Sequence, residues 1–166
     1  MSSNSILARA KAPRLLFSLL VLILTVSPTL AQDWDEIQMK TTALGGGVFM
    51  IEGGGGNLVL CTGDDGAFLV DDQYAPLNEK IRAAIAEQTQ QEVQWVLNTH
   101  WHGDHTGGNE NFGGTGSFIV AHENVRQRMS RDQFSEIFDR ATPASPPLAL
   151  PIVTFNDSIS FYWNDQ

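Results

Sequence analysis

"NTHWHGDHTGG", residues 98–108, sets three of the chain's four histidines and an aspartate within the six positions from His100 to His105. The stretch continues "VQWVL", residues 93–97, which reads as a buried strand. Side chains alternate along a strand, so His100 and His102 present their rings on one side if the chain is still extended there. Two imidazoles converging on one point make half a metal site. Asp104 and His105 follow Gly103, the residue best able to turn sharply, and as neighbours they are placed to address a second ion. Three imidazoles and a carboxylate favour zinc among the common metals. A surface loop that happens to be rich in histidine is the weaker reading, because only His122 lies elsewhere. Serine hydrolase chemistry is weaker still, since no GxSxG occurs.

Upstream, glycine clusters separate short β-like runs: "VFMIE" (48–52), "NLVLC" (57–61) and "AFLVDD" (67–72). With Asp64, Asp65 and Gly66 as a hairpin turn, they predict three successive antiparallel strands. Glycines 53–56 lack a following Gly-Lys-Ser/Thr, so a flexible turn at a pocket rim is a better reading than a phosphate cradle. "APLNEKIRAAIAEQ" (75–88) starts with Pro76 at a natural first helical position and lines Leu77, Ile81, Ala84 and Ile85 along one face. Downstream, "SFIVAH" (117–122) reads as a strand and residues 123–140 as a second helix, with Val125, Met129, Ile137 and Phe138 as core contacts. Four prolines between Pro143 and Pro151 predict an extended loop. "IVTF" (152–155) and "SISFYW" (158–163) look like a final hairpin. The alternation of strands and helices predicts a mixed αβ layer.

The N-terminus has a different character. Arg9, Lys11 and Arg14 precede the apolar run Leu15 to Val26, and "SPTLAQ" follows, with Thr29 and Ala31 suited to a cleavage site. This is the layout of a secretory signal peptide over residues 1–31, and the run is short of the ~20 apolar residues of a spanning helix. The expected product begins at Gln32, is exported to the periplasm or beyond, and is not membrane-bound. The three basic residues leave with the leader, so seven Lys and Arg face 19 Asp and Glu, a formal net charge of −12. Such a surface argues against nucleic acid or an anionic membrane as partner. Cys61 stands alone in an apolar run and reads as a small buried residue.

"THWHGDH" matches the HxHxDH signature of the metallo-β-lactamase superfamily, and the likeness extends through "GGNLVLCTGDDGAFLVDDQ" and "GGN…FG…IVAHENV", over roughly residues 45–130. The chain resembles the exported bacterial members of that family. The resemblance implies an α/β fold, the first half of an αβ/βα sandwich whose mixed, largely antiparallel sheet carries helices on one face. It implies a binuclear zinc site, with His100 and His102 on the first ion and Asp104 and His105 on the second. Asp71 would orient a ligand from outside the coordination sphere. The implied activity is hydrolysis of a small-molecule lactam, lactone, amide or thioester by a metal-activated hydroxide, with Asp104 binding metal and orienting the nucleophile. His122 resembles a position that does not bind metal. The family's remaining ligands fall beyond Gln166, so the expectation is a chain lacking its C-terminal half and poorly active by itself. Two alternatives are kept: an iron-dependent sulfur-oxidising member of the same fold, and a noncatalytic metal-binding fragment.

Overall fold

The computed structural model describes residues 32–164, and the expected leader at 1–31 lies outside them. Four strands form an antiparallel meander: β1 (Lys40–Gly45), β2 (Val48–Glu52), β3 (Leu58–Gly63) and β4 (Gly66–Val70). A 3-10 turn at Ala75–Leu77 and α1 (Asn78–Ala86) then cross to β5 (Val93–Asn98), which lies parallel to β4. Two short helices, α2 (Gly103–Thr106) and α3 (Asn109–Gly114), lead to β6 (Phe118–His122), parallel to β5. Then come α4 (Glu123–Met129), a ribbon of β7 (Gln133–Ser135) and β8 (Arg140–Thr142), and β9 (Val153–Phe155), which adds parallel to β6. The main sheet therefore runs β1-β2-β3-β4-β5-β6-β9. It is the mixed sheet expected of the family.

Strand register separates two apolar faces. Leu60, Leu69, Val96 and Ile119 are successive partners across β3 to β6, and all are buried. Against this line pack Leu77, Ile81, Ala84 and Ile85 of the first crossover, the face anticipated from their spacing, together with Phe112 of α3. Ala121, on the same side of β6, meets Val125 and Met129 of α4. Helices thus cover one face. Leu69→Ala is expected to cost about 2–5 kcal/mol, because its neighbours on both sides are fixed in strands and collapse poorly into the void. Urea denaturation checks this, and a loss under 1 kcal/mol would contradict it.

The opposite face is aromatic. Phe68, Trp95 and Phe118 are register partners there, and the C-terminal segment lies over them, with Phe161 at 4.8 Å from Phe68 and Trp163 at 6.1 Å from Trp95 between ring centroids. Asn164 ends that segment on the β3–β4 turn: its N–H donates to Asp65 Oδ2 at 2.8 Å and its Nδ2 to the Gly66 carbonyl at 2.8 Å.

Four expectations are corrected. The second helix stops at Met129 instead of reaching Arg140, and residues 133–142 form the ribbon. Ser130 leaves helical geometry, and the Asp132 carboxylate accepts the Ala144 N–H at 2.9 Å, which folds the chain back. Ile137 and Phe138, expected in the core, are 88% and 79% exposed. The final hairpin does not form, since β9 pairs with β6 while Phe161 and Trp163 turn to the sheet's aromatic face. The proline loop is also less extended than expected: Pro147–Ala149 is a 3-10 turn with Ala149 buried. Among the described residues, no helix is long and apolar enough to cross a membrane.

Candidate metal centre

Parallel strands bring functional residues together where their C-terminal ends meet neighbouring loops. The end of β4 supplies Asp71, and the end of β5 supplies Thr99 through His105. Asp71 holds a left-handed backbone, φ 59°, uncommon outside glycine. That bend lets its N–H donate to the Leu97 carbonyl at 2.9 Å while its buried carboxylate turns to the histidine loop. Oδ1 accepts the Thr99 N–H at 2.8 Å. Oδ2 accepts the Thr99 hydroxyl at 2.7 Å and His105 Nδ1 at 2.8 Å.

These bonds set tautomers. A carboxylate accepts only, so His105 Nδ1 carries hydrogen and Nε2 keeps its lone pair. Thr99 gives its proton to Asp71 and thereby offers a lone pair to His100 Nδ1, 3.1 Å away, which leaves the lone pair of His100 Nε2 directed at His102 Nδ1, 3.2 Å away. One carboxylate fixes both rings. Burial, then the His105 and His102 rings, hold the His100 imidazole below its usual pKa, so it is neutral near pH 7.

His100, Asp104 and His105 each offer a ligand atom, and those atoms lie within 4.8 Å of one another. Asp104 Oδ2 is 3.3 Å from His105 Nε2, and His102 Nδ1 lies 3.2 Å from His100 Nε2. All four residues singled out from the sequence therefore gather in one cluster. Imidazole nitrogens with oriented lone pairs beside a carboxylate are a donor set that suits zinc. His122 sits apart from this group: Nδ1 caps α4 by accepting the Asn124 N–H at 3.1 Å, and Nε2 meets the Asn156 carbonyl at 2.6 Å.

Several supporting contacts escaped the sequence reading. The glycine turn packs directly on the cluster, with the Gly56 N–H donating to the Asp104 carbonyl at 3.3 Å and Gln73 Nε2 donating to the Gly56 carbonyl at 2.7 Å. A Cβ on Gly56 would lie 2.5 Å from His105 Nε2, so only glycine fits there. Four adjacent glycines were the visible signal. Behind the loop, Asn98 and Asn109 exchange side-chain hydrogen bonds at 3.0 and 2.8 Å, both buried, and Asn109 also donates to the Ala149 carbonyl. Asp72, fully buried, accepts the Gly108 N–H at 2.9 Å, and burial pushes its carboxyl well above the usual range.

The C-terminal ends of β4 and β5 thus gather three histidines and an aspartate, a group that could hold a metal ion, in an αβ protein. The model of the metallo-β-lactamase superfamily matches residues 41–162, and the chain belongs to that superfamily. Among solved structures it is similar to a metallo-β-lactamase of Cronobacter sakazakii, at 19% identity and TM-score 0.58, over 74% of this chain and 47% of that one. It is also similar to MEM-A1, a subclass B3 metallo-β-lactamase from a soil metagenome, at 20% identity and TM-score 0.60, over 76% and 48% of the two chains. BJP-1, a subclass B3 enzyme of Bradyrhizobium japonicum, gives 19% identity and TM-score 0.55, over 74% and 46%. The chain thus spans about half the length of the solved structures it matches. No curated protein sequence matches it. At these identities the solved structures establish the fold.

Proposed function

We propose that this chain carries the first half of the active centre of an exported zinc-dependent hydrolase acting on the carbonyl group of a small molecule. The observation that supports this reading is the convergence of His100, Asp104 and His105 with the Asp71 carboxylate behind them. His100 and His102 would hold one ion, and Asp104 and His105 a second. When bound, zinc brings the pKa of water down to about 7 and polarises a carbonyl oxygen. The protein's own contribution is orientation. Asp71 and Thr99 hold the His105 and His100 rings with lone pairs forward, and Asp104 has a second carboxylate oxygen with which to accept a proton. Catalytic zinc takes three protein ligands and keeps one open position. Four donors for two ions fall short of that count, so we assign the remaining ligands to the family's second half and propose that residues 1–166 alone are inactive. The leader sequence supports export.

Metal content of the purified protein tests the reading. Zinc is expected to bind, to raise the Tm, and to be stripped by a chelator with loss of that gain. Iron bound in preference to zinc would overturn it in favour of redox chemistry. No metal bound even with excess zinc would overturn the ligand assignment itself.

A further inference from the structure

Lys80 of α1 is half-buried, and its ammonium donates to three backbone carbonyls, those of Trp34 at 2.9 Å, Asp35 at 2.8 Å and Ile37 at 2.7 Å. A lysine has three N–H donors, so all of them close on one short stretch of main chain 43 to 46 positions upstream. Bonds from a charged donor are stronger than neutral ones. The stretch turns at residues 34–36 and enters β1 at Lys40, where it is paired with β2. Residues 33–39 are thus a strap, fastened to α1 at one end and to the sheet at the other.

The strap lies against the glycine turn. A Cβ on Gly53 would come within 2.8 Å of Met39 Sδ, and one on Gly54 within 2.5 Å of Ile37 Cδ1. Trp34 adds a second route, its ring centre 4.9 Å from that of Tyr74, whose edge a Cβ on Gly55 would meet at 3.2 Å. The far side of the same turn faces the metal cluster. A Cβ on Gly55 would lie 3.0 Å from Asp104 Cβ, while Gly56 abuts His105 and donates to the Asp104 carbonyl. Four glycines have no side chains with which to anchor themselves, and their backbone is the freest of any residue. The turn is held from outside, by the strap, by Gln73 at Gly56 and by the histidine loop.

We propose that Lys80 is a positioning residue for the metal centre: by fastening the strap it confines the glycine turn, and the turn confines Asp104 and His105. This rests on reading His100 to His105 as metal ligands, whereas its structural half, that the strap holds the turn, needs no metal. Electrostatics alone would act in the opposite direction, since removing a positive charge from the domain favours a bound cation. A loss of zinc affinity without Lys80 therefore reports position and not charge. Coupling is reciprocal, so zinc should in turn tighten the strap.

Lys80→Met keeps a side chain of similar length and deletes the ammonium. In excess chelator, hydrogen–deuterium exchange is expected to quicken in residues 33–39 and 53–56 together, relative to the parent. Zinc affinity, from competition with a chromophoric chelator, should fall by about tenfold, the effect of a site that is ordered a tenth of the time. Added zinc should slow exchange in the variant's strap. Lys80→Arg, which keeps a cation with donors, should recover most of the affinity. Ile37→Ala removes the contact with Gly54 while leaving the Lys80 bonds, and should weaken zinc binding from the strap's side. Ile119→Ala, in the core of β6, should lower the Tm and leave zinc affinity unchanged. A strap that loosens while the glycine turn does not would overturn the proposal. So would a Lys80→Met variant that binds zinc like the parent, or an equal loss of affinity in Ile119→Ala. A parent chain that binds no zinc, with strap and turn still loosening together in Lys80→Met, would count against the metal reading alone.

Discussion

Asp71→Ala is expected to unfold much of the stability margin and to destroy the metal site with it. The substitution strands three donors, the Thr99 N–H, the Thr99 hydroxyl and His105 Nδ1, around a buried void. A buried group left without its partner costs about 1–3 kcal/mol, so the sum is several kcal/mol, on a domain whose whole stability is on the order of 5–15 kcal/mol. Asp71→Asn separates the two roles. Asparagine tolerates the left-handed backbone and its oxygen still accepts the Thr99 N–H, so the fold should survive with a modest fall in Tm. Its amide is a donor toward His105, however, which favours the tautomer with hydrogen on Nε2, the nitrogen a metal needs. Zinc affinity should therefore drop by about 10–100-fold, the usual scale for loss of a ligand's outer partner. Competition with a chromophoric chelator measures it, and an asparagine variant that binds zinc like the parent would rule out tautomer control.

Gly56→Ala carries the second large effect, and it works through space alone. The added methyl would sit 2.5 Å from His105 Nε2. Either the ring rotates away, breaking its bond to Asp71, or the turn retreats and gives up the hydrogen bonds that Gly56 makes to Asp104 and Gln73. Overpacking of this kind costs about 1–3 kcal/mol. Zinc affinity is expected to fall at least tenfold while the secondary structure seen by circular dichroism is kept. Gly46, whose Cβ would meet nothing within 4 Å, is a poor control because its φ is +60°; Gly114→Ala, equally open and without that strain, is the proper comparison and should leave zinc binding unchanged. Equal affinities in the Gly56 and Gly114 variants would show that the turn does not confine the ring.

The elements that could be read from the sequence are those fixed by local pattern. Leu77, Ile81, Ala84 and Ile85 repeat at helical spacing and all are buried, and the Asp64-Asp65-Gly66 turn joins β3 to β4 as its residues require. The histidine loop was legible because one short segment carries all four of its donors. What was missed depends on distant partners. Strand β1 is held by β2 and has mostly exposed side chains, so it shows no apolar alternation. The helix expected through residue 140 is interrupted by an Asp132 contact to Ala144, and Val153–Phe155 pairs with a strand some thirty residues back instead of with its neighbour. Resemblance alone points to Asp71 as a support, and Thr99, its link to His100, emerges only from the side-by-side placement of β4 and β5.

That side-by-side placement governs when the site can come into being. The meander β1 to β4 is built from hairpins and closes through contacts near in sequence, whereas β5 reaches β4 only after the crossover through α1 is complete. Asp71 and Thr99 are 28 positions apart. Chain closure over longer separations is slower than hairpin formation, so the ligands are expected to assemble late, on a framework already folded without them. Metal would then act as a lock on a finished fold and not as its nucleus: zinc should slow unfolding while leaving the refolding rate nearly untouched.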